Sequence, residues 1–298
     1  MAAVRVALAS FSGVPPQFGD DRRLVEALGE AGVDATVVFW EEPGADWGSY
    51  DAVVIRSTWN YARRRDAFLR WCDSIGDRLH NSPALVRWNS DKHYLRDLGA
   101  AGIPVVDTAY VDPGESLPGF DGEVVVKPAI SAGGRDSGRF GPATHGLARD
   151  LVESIHAGGR TAMLQPFQAT VDELGETAVL CIDGEPVHTL RKRAVLQPDE
   201  VAPIRDDAVG AAEAMYDPAL VTAGEAGDDE LELARRVVAE VSDRFDYVPL
   251  YGRVDMIRDR DGAPMLLELE AIEPAFYLDQ VPATAAVAAT AISARAGG

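Results

Sequence analysis

The stretch VVVKPAISAGGRDSGRF, residues 124–140, carries a lysine on the end of a valine run and follows it at once with a loop of small and polar residues. Three valines suit a short buried strand, so Lys127 brings its charge to the strand's edge, just before Pro128 ends any regular ladder. In the loop from Ser131 to Gly138, Gly133, Gly134 and Gly138 let the backbone take left-handed conformations and come close to an anion. A phosphate is the guest such a loop suits. The loop is neither the Walker-type phosphate loop nor the Gly-x-Gly-x-x-Gly dinucleotide fingerprint, so a flexible surface loop beside a snorkelling lysine reads the same way.

A second set of reactive groups lies in YGRVDMIRDRDGAPMLLELEAIEP, where Asp261-Gly262 signals a tight hairpin. With those two as the loop residues, Asp255 faces Glu268 and Arg253 faces Glu270, so four charged groups share one sheet face. Leu267 and Leu269 then point to the other side and fill a core. Like charges across a ladder destabilise by roughly 0.2 to 1 kcal/mol, so Asp255 opposite Glu268 calls for a cation. Three oxygen donors without His or Cys suit Mg²⁺ or Mn²⁺ better than zinc. On this reading Asp255→Asn and Glu268→Gln raise the metal requirement with little effect on folding. A solvated charged face balanced by Arg253 is the alternative. The segment ETAVLCIDGEPVHTLRK gives another Asp-Gly hairpin, and the same rule pairs Glu176 with Arg191.

The elements that must position these groups alternate in type. VRVALAS reads as a strand, DDRRLVEALGEAG as an amphipathic helix ended by glycine, and DATVVFW and DAVVIRS as further strands. This βαβ pattern implies a parallel sheet, whose ligands lie beyond the carboxyl ends of its strands, where Arg56 to Tyr61 (RSTWNY) emerge. An amphipathic surface loop packing Trp59 and Tyr61 is the competing reading. A second unit begins at NSDKHYLRDLGAAGIP: Asn89 or Ser90 caps a helix that ends before Gly102 and Pro104. Lys92 falls in its first turn, where a nearby anion would offset the helix dipole.

The 298 residues, 47% of them hydrophobic, suffice for two or three packed subdomains. A net charge of -20 argues against a nucleic-acid partner, because a surface that repels phosphates forgoes counterion release. The cluster Arg63 to Arg65 reads as a solvated helix start, whereas Lys92, Lys127, Arg191, Lys192, Arg193 and Arg253 sit near turns and strand ends and can converge on one anion. No apolar run approaches the roughly 18 residues that span a bilayer, and the first residues lack a basic leader, so no membrane partner and a cytoplasmic location are expected. Cys72 and Cys181 are expected to be unpaired core thiols.

A lysine before a Gly-rich loop, then Gln165-Pro166-Phe167, then a carboxylate hairpin: in this order and spacing they resemble the ATP-grasp superfamily, over most of the chain. FWEEPGADWGSYDAVVIRSTWNY is similar to the domain that precedes this fold in glutathione-synthetase-like members. The resemblance implies an α/β protein in which a small parallel-sheet βαβ domain, residues 1–88, precedes an ATP-grasp domain, residues 89–298, with a lid at roughly 113–163. It implies ATP and Mg²⁺ as cofactors. Lys92 and Lys127 then resemble the lysines on the nucleotide phosphates, and Ser131, Gly133 and Gly134 belong to a mobile loop that closes over them. Gln165 and Phe167 border the adenine, and Glu173, with Asp172 as the alternative, takes the ribose. Asp255, Glu268 and Glu270 match the metal positions, although the family's usual final ligand is asparagine. Arg253 resembles the arginine that holds a substrate carboxylate or acyl phosphate, and acts with Lys127 in catalysis. The implied activity is carbon–nitrogen ligation on a small zwitterionic, amino-acid-like substrate, gripped by Arg56, Ser57, Thr58, Asn60, Tyr61 and Arg253. Intramolecular ring closure, intermolecular ligation and a non-catalytic nucleotide sensor share this framework, and a homo-oligomer is compatible with each.

Overall fold

The structure, a computed structural model, describes residues 3–15, 18–204, 206–207, 209–217 and 219–297. The first strands, β1 (Arg5–Ser10), β2 (Asp34–Phe39), β3 (Ala52–Ile55) and β4 (Leu79–His80), form a parallel sheet in the order β2-β1-β3-β4. Continuous apolar runs in β1 and β3 are buried on both faces, as parallel strands between helices require. Val6, Leu8 and Val54 pack towards α1 (Asp20–Glu30), while Ala7, Ala9, Val53 and Ile55 pack towards α2 (Arg65–Ile75).

Two short helices, α3 (Pro83–Asn89) and α4 (Tyr94–Ala100), lead into β5 (Ala109–Val111), β6 (Val124–Pro128), β7 (Gly138–Phe140), α5 (His145–Ala157) and β8 (Ala162–Pro166). After α6 (Thr170–Leu174) come β9 (Glu176–Ile182), β10 (Glu185–Lys192), β11 (Glu200–Val201), β12 (Val221–Gly224), α7 (Asp228–Phe245), β13 (Tyr251–Arg258), β14 (Pro264–Glu270) and α8 (Thr284–Ala296). They build two antiparallel sheets, β11-β7-β6-β8-β5 and β12-β10-β9-β13-β14.

Each sheet has one apolar face under a helix. Ala148, Val152 and Ile155 of α5 cover Val124, Val126 and Phe140, and Leu233, Val237 and Val241 of α7 cover Val179, Val254 and Met256. Each of these side chains larger than alanine, fully buried, is worth roughly 1.5 to 3 kcal/mol of transfer free energy. Because side chains alternate along a strand, the residues between them, among them Val125, Lys127, Arg253 and Asp255, line a cavity.

Pro128 ends the ladder as expected: it is the last residue of β6, paired with Ala162, where its missing N–H costs least. One local expectation is corrected. Lys92 is not in the first turn of a helix capped by Asn89 or Ser90; it lies in the turn between α3 and α4, because Asn89 still belongs to α3. Cys72 and Cys181 are buried free thiols, as expected. Among the described residues no helix is long and apolar enough to cross a membrane.

Candidate active site

The cavity, of about 310 Å³, takes its walls from both antiparallel sheets, the Gly-rich loop and the segment after β3. Two hairpins supply most of its charges. In the β13–β14 hairpin the loop is not the two residues expected but the five from Asp259 to Ala263, since Arg258 pairs with Pro264. Asp259 stabilises it by accepting from the amides of Asp261 and Ala263, each at 2.9 Å. A bulge between Asp255 and Met256 then leaves Leu267 unpaired and restores the expected pairs, Asp255 with Glu268 and Arg253 with Glu270. Leu267 is thereby turned to the cavity instead of the core, which Leu266 and Leu269 fill.

The β9–β10 hairpin does have the two-residue Asp183-Gly184 loop, both residues at positive φ as a primed turn requires. Its register then slips between Pro186 and His188, so Glu176 faces Lys192 and not Arg191, which faces Thr177. Pro186 has no N–H for the ladder, and strand prolines concentrate at bulges. Gly175 allows the close approach just before β9: φ is +68°, and a Cβ there would collide with the Lys192 carbonyl oxygen.

The result is a chain of ion pairs. Lys192 Nζ lies 2.8 Å from Asp255 Oδ2 and 2.9 Å from Glu176 Oε2. Arg253 donates to both Asp255 oxygens, from Nε at 2.8 Å and Nη2 at 2.9 Å, and pairs with Glu270. Lys92 Nζ donates to the Ser131 carbonyl at 2.8 Å and sits 3.1 Å from Glu268 Oε1. Lys127 faces the same space with no hydrogen-bond or ion-pair partner among the described residues.

Burial pushes the Asp255 carboxyl up, but Arg253 and Lys192 overcome it and hold it down at about 2. Glu268 is likewise lowered against its burial, by Lys92 and Lys127. Glu270 is raised to about 7 by burial and by Asp255 and Glu268, despite Arg253. Lys127 is lowered by burial and by Lys92, with Glu268 opposing. A dianionic ligand beside it would reverse that shift.

Asn89 orients the carboxylate strand, donating to Leu269 O and accepting from Ala271 N, both at 2.8 Å. The Tyr94 hydroxyl accepts from Leu269 N at 2.9 Å. The Gly-rich loop, with Ser131, Gly133 and Gly134 on the cavity, is held from outside: Arg135 donates to Val209 O and Gly210 O, and Gly133 O accepts from Ala212 N. Gly133, at φ +65°, has room only for hydrogen, since a Cβ would come within 2.7 Å of Ala211 Cβ.

Gln165 and Phe167 line the far end; Gln165 donates to Thr108 Oγ1 at 2.9 Å, and the Arg139 guanidinium stacks 3.4 Å over the Phe167 ring. Glu173 is not brought there: it is exposed on α6, and Asp172 pairs with Arg139. Of the residues expected to grip substrate from the parallel-sheet side, Tyr61, with Trp59, reaches the cavity. Arg56, Ser57, Thr58 and Asn60 lie behind that wall. Arg56 donates to Pro274 O, Ser57 to Asp21, and Asn60 bridges Trp40 and Glu41, while Thr58 is fully buried.

No three His, Cys, Asp or Glu side chains among the described residues are grouped to hold a metal. Both Asp255 oxygens are engaged by Arg253 and Lys192. Glu268 and Glu270, 30% and 32% exposed towards the cavity, fit Mg²⁺ better as a pair, since that ion commonly takes one or two carboxylates together with phosphate oxygens and water.

Lys192 joins the site as one of the cations expected to converge on an anion, whereas Glu176, Asn89 and Glu273 were not expected there. Pro186 was a signal for the bulge that turns Lys192 inwards; a lone glutamate past a strand end gives none.

Two antiparallel sheets closing on lysines and carboxylates, behind a small parallel sheet, define an ATP-grasp ligase. The family described as the D-cycloserine synthetase DcsG N-terminal domain matches residues 6–81. The cycloserine biosynthesis protein DcsG of Streptomyces lavendulae is 35% identical over 271 residues, 86% of each chain. A crystal structure of D-cycloserine synthetase DcsG superposes with a TM-score of 0.86 at 32% identity, over 98% of this chain and 99% of that one. D-alanine–D-alanine ligase from Bacillus anthracis in complex with ATP shares the fold, at a TM-score of 0.68 and 13% identity over 99% and 97% of the two chains. The chain belongs to the DcsG family of ATP-grasp ligases.

Proposed function

We propose that the protein is an ATP- and Mg²⁺-dependent cyclo-ligase of antibiotic biosynthesis that converts O-ureido-D-serine to D-cycloserine. The observation that carries this reading is Lys127, a cation with no hydrogen bond or ion pair among the described residues, facing a cavity whose other lysines are already paired and whose framework is similar along nearly the whole chain to D-cycloserine synthetase.

Lys127 and Lys92, with the backbone of the Gly-rich loop, would hold the ATP phosphates, and Gln165 and Phe167 would border the base. Glu268 and Glu270 would hold Mg²⁺, which when bound neutralises phosphate charge. Arg253 would orient the substrate carboxylate as its oxygen takes the terminal phosphoryl group and ADP is formed. The nitrogen attached to the substrate's side-chain oxygen then attacks the activated carbonyl, phosphate leaves, and the five-membered ring closes. Hydrolysis of the ureido carbonyl, releasing carbon dioxide and ammonia, completes the conversion. The Gly-rich loop, tied to residues 209–212, would exclude water from the activated carboxyl.

Mass spectrometry of the protein with ATP, Mg²⁺ and O-ureido-D-serine, beside common amino acids alone and in pairs, tests the reading. D-cycloserine together with ADP is the expected result. ADP formed only when two amino acids are supplied would make the protein an intermolecular ligase, and no ATP consumption under any condition would make it a sensor.

A further inference from the structure

We propose that Glu273 is the anchor for the substrate's ammonium group, the residue that makes the site selective for amino acids over simple carboxylic acids. The inference rests on the cyclo-ligase reading and deepens it.

The cavity's charges do not cancel in pairs. Glu176, Asp255, Glu268 and Glu270 each have a lysine or arginine partner within the wall. Glu273 lines the same cavity and has no ion pair among the described residues. Burial, with Glu270 and Glu268 nearby, raises its carboxyl well above the ordinary range against Lys92, and a cation brought by the ligand is what would favour its ionised form. Lys127 shows the opposite imbalance. A nucleotide phosphate answers one, and an aliphatic ammonium answers the other.

Glu273 is also held still. Three successive carbonyls of its segment each accept from a different side chain: Glu273 O from Trp59 Nε1 at 3.2 Å, Pro274 O from Arg56 Nη2 at 2.9 Å and Ala275 O from Arg253 Nη1 at 3.4 Å. The next three amides, of Phe276, Tyr277 and Leu278, donate to the Asp20 carboxylate at 2.7 to 3.0 Å. Arg56, behind the wall, thus serves the site by fixing this segment. The Trp59 ring, against Phe18 at 4.8 Å, closes the same end and shields the pair from water, which strengthens a charge-assisted hydrogen bond. Arg253 bonds the same segment and can take the carboxylate of the zwitterion whose ammonium Glu273 receives.

The test compares wild type with Glu273→Gln by calorimetric titration in the presence of a non-hydrolysable ATP analogue and Mg²⁺. The probes are O-ureido-D-serine and its desamino analogue, 3-(ureidooxy)propanoate. Loss of one charge-assisted bond should weaken O-ureido-D-serine roughly 10- to 100-fold in the variant. Affinity for the ATP analogue, the Mg²⁺ dependence and the weak binding of the desamino analogue should stay as in wild type, which also shows that the variant is folded. A raised Mg²⁺ requirement with unchanged O-ureido-D-serine affinity would make Glu273 a metal ligand and overturn the proposal. If wild type and variant bind O-ureido-D-serine equally well, the anchor alone falls. If wild type binds the ATP analogue but neither probe, the cyclo-ligase reading falls and the anchor with it.

Discussion

The β9–β10 and β13–β14 hairpins start from the same Asp-Gly signal and end with opposite lessons about register. The first has the short turn its sequence announces, yet a slip beside Pro186 changes which cation faces the cavity. The second has a longer loop than announced, and a bulge at Leu267 cancels the difference, so Asp255, Glu268, Arg253 and Glu270 sit as the short turn would have put them. A single extra residue flips every later side chain to the other face. Bulges, and not turns alone, therefore decide which charges meet in this site. The hairpins meet at Asp255, held by Lys192 from one and Arg253 from the other.

The largest effect should come from breaking that junction. Asp255→Asn leaves Lys192 and Arg253 without their shared carboxylate inside the wall, and should cost about 3 kcal/mol or more in denaturant unfolding. This replaces the expectation, drawn from charge crowding, that the substitution leaves folding intact. The pH dependence follows from the depressed carboxyl: the stabilisation is present above its ordinary 3.8 and is lost as pH falls through about 2. The acid limb of a stability profile should therefore flatten in the variant.

Next, the two neighbours at the slip should separate sharply. Lys192→Ala should lower ATP-dependent turnover about 100-fold, because Lys192 sits in the cavity beside Asp255. Arg191→Ala should leave turnover unchanged, whatever it costs in stability, since Arg191 pairs with the buried Glu230, Thr177 and the Glu225 carbonyl outside the cavity. Steady-state kinetics on the two variants would expose a wrong register if their effects were exchanged.

The smallest effect is expected at Glu268→Gln, which loses one charge of a carboxylate partly open to the cavity. Its Mg²⁺ requirement should rise about tenfold while unfolding changes by less than about 1 kcal/mol. An unchanged metal dependence would leave Glu268 as a partner of Lys92 alone.

Much of this was legible in the residues. The apolar runs of β1 and β3 read as a parallel sheet, and the spacing of Asp255, Glu268 and Glu270 read as one charged face, because both depend on local periodicity. The strand before Lys127 was legible for the same reason. What stayed hidden depends on contacts distant in sequence. Arg56 sits at the carboxyl end of a parallel strand, where ligands are expected, but it turns away to Pro274, 218 residues later. Glu173 shares a short helix with Asp172, but Asp172 pairs with Arg139 and Glu173 is left exposed outside the cavity. Glu273 follows no period, and its isolation among paired carboxylates appears only in three dimensions.

The central claim is that both hairpins and the Gly-rich loop enclose one ATP site, with Lys127 as the cation left free for phosphate. Calorimetric titration of ATP and Mg²⁺ into wild type and Lys127→Ala tests it most directly. Binding should be at least about tenfold weaker in the variant at unchanged thermal stability, since Lys127 has no hydrogen bond or ion pair among the described residues. Equal affinity in the two proteins would contradict it.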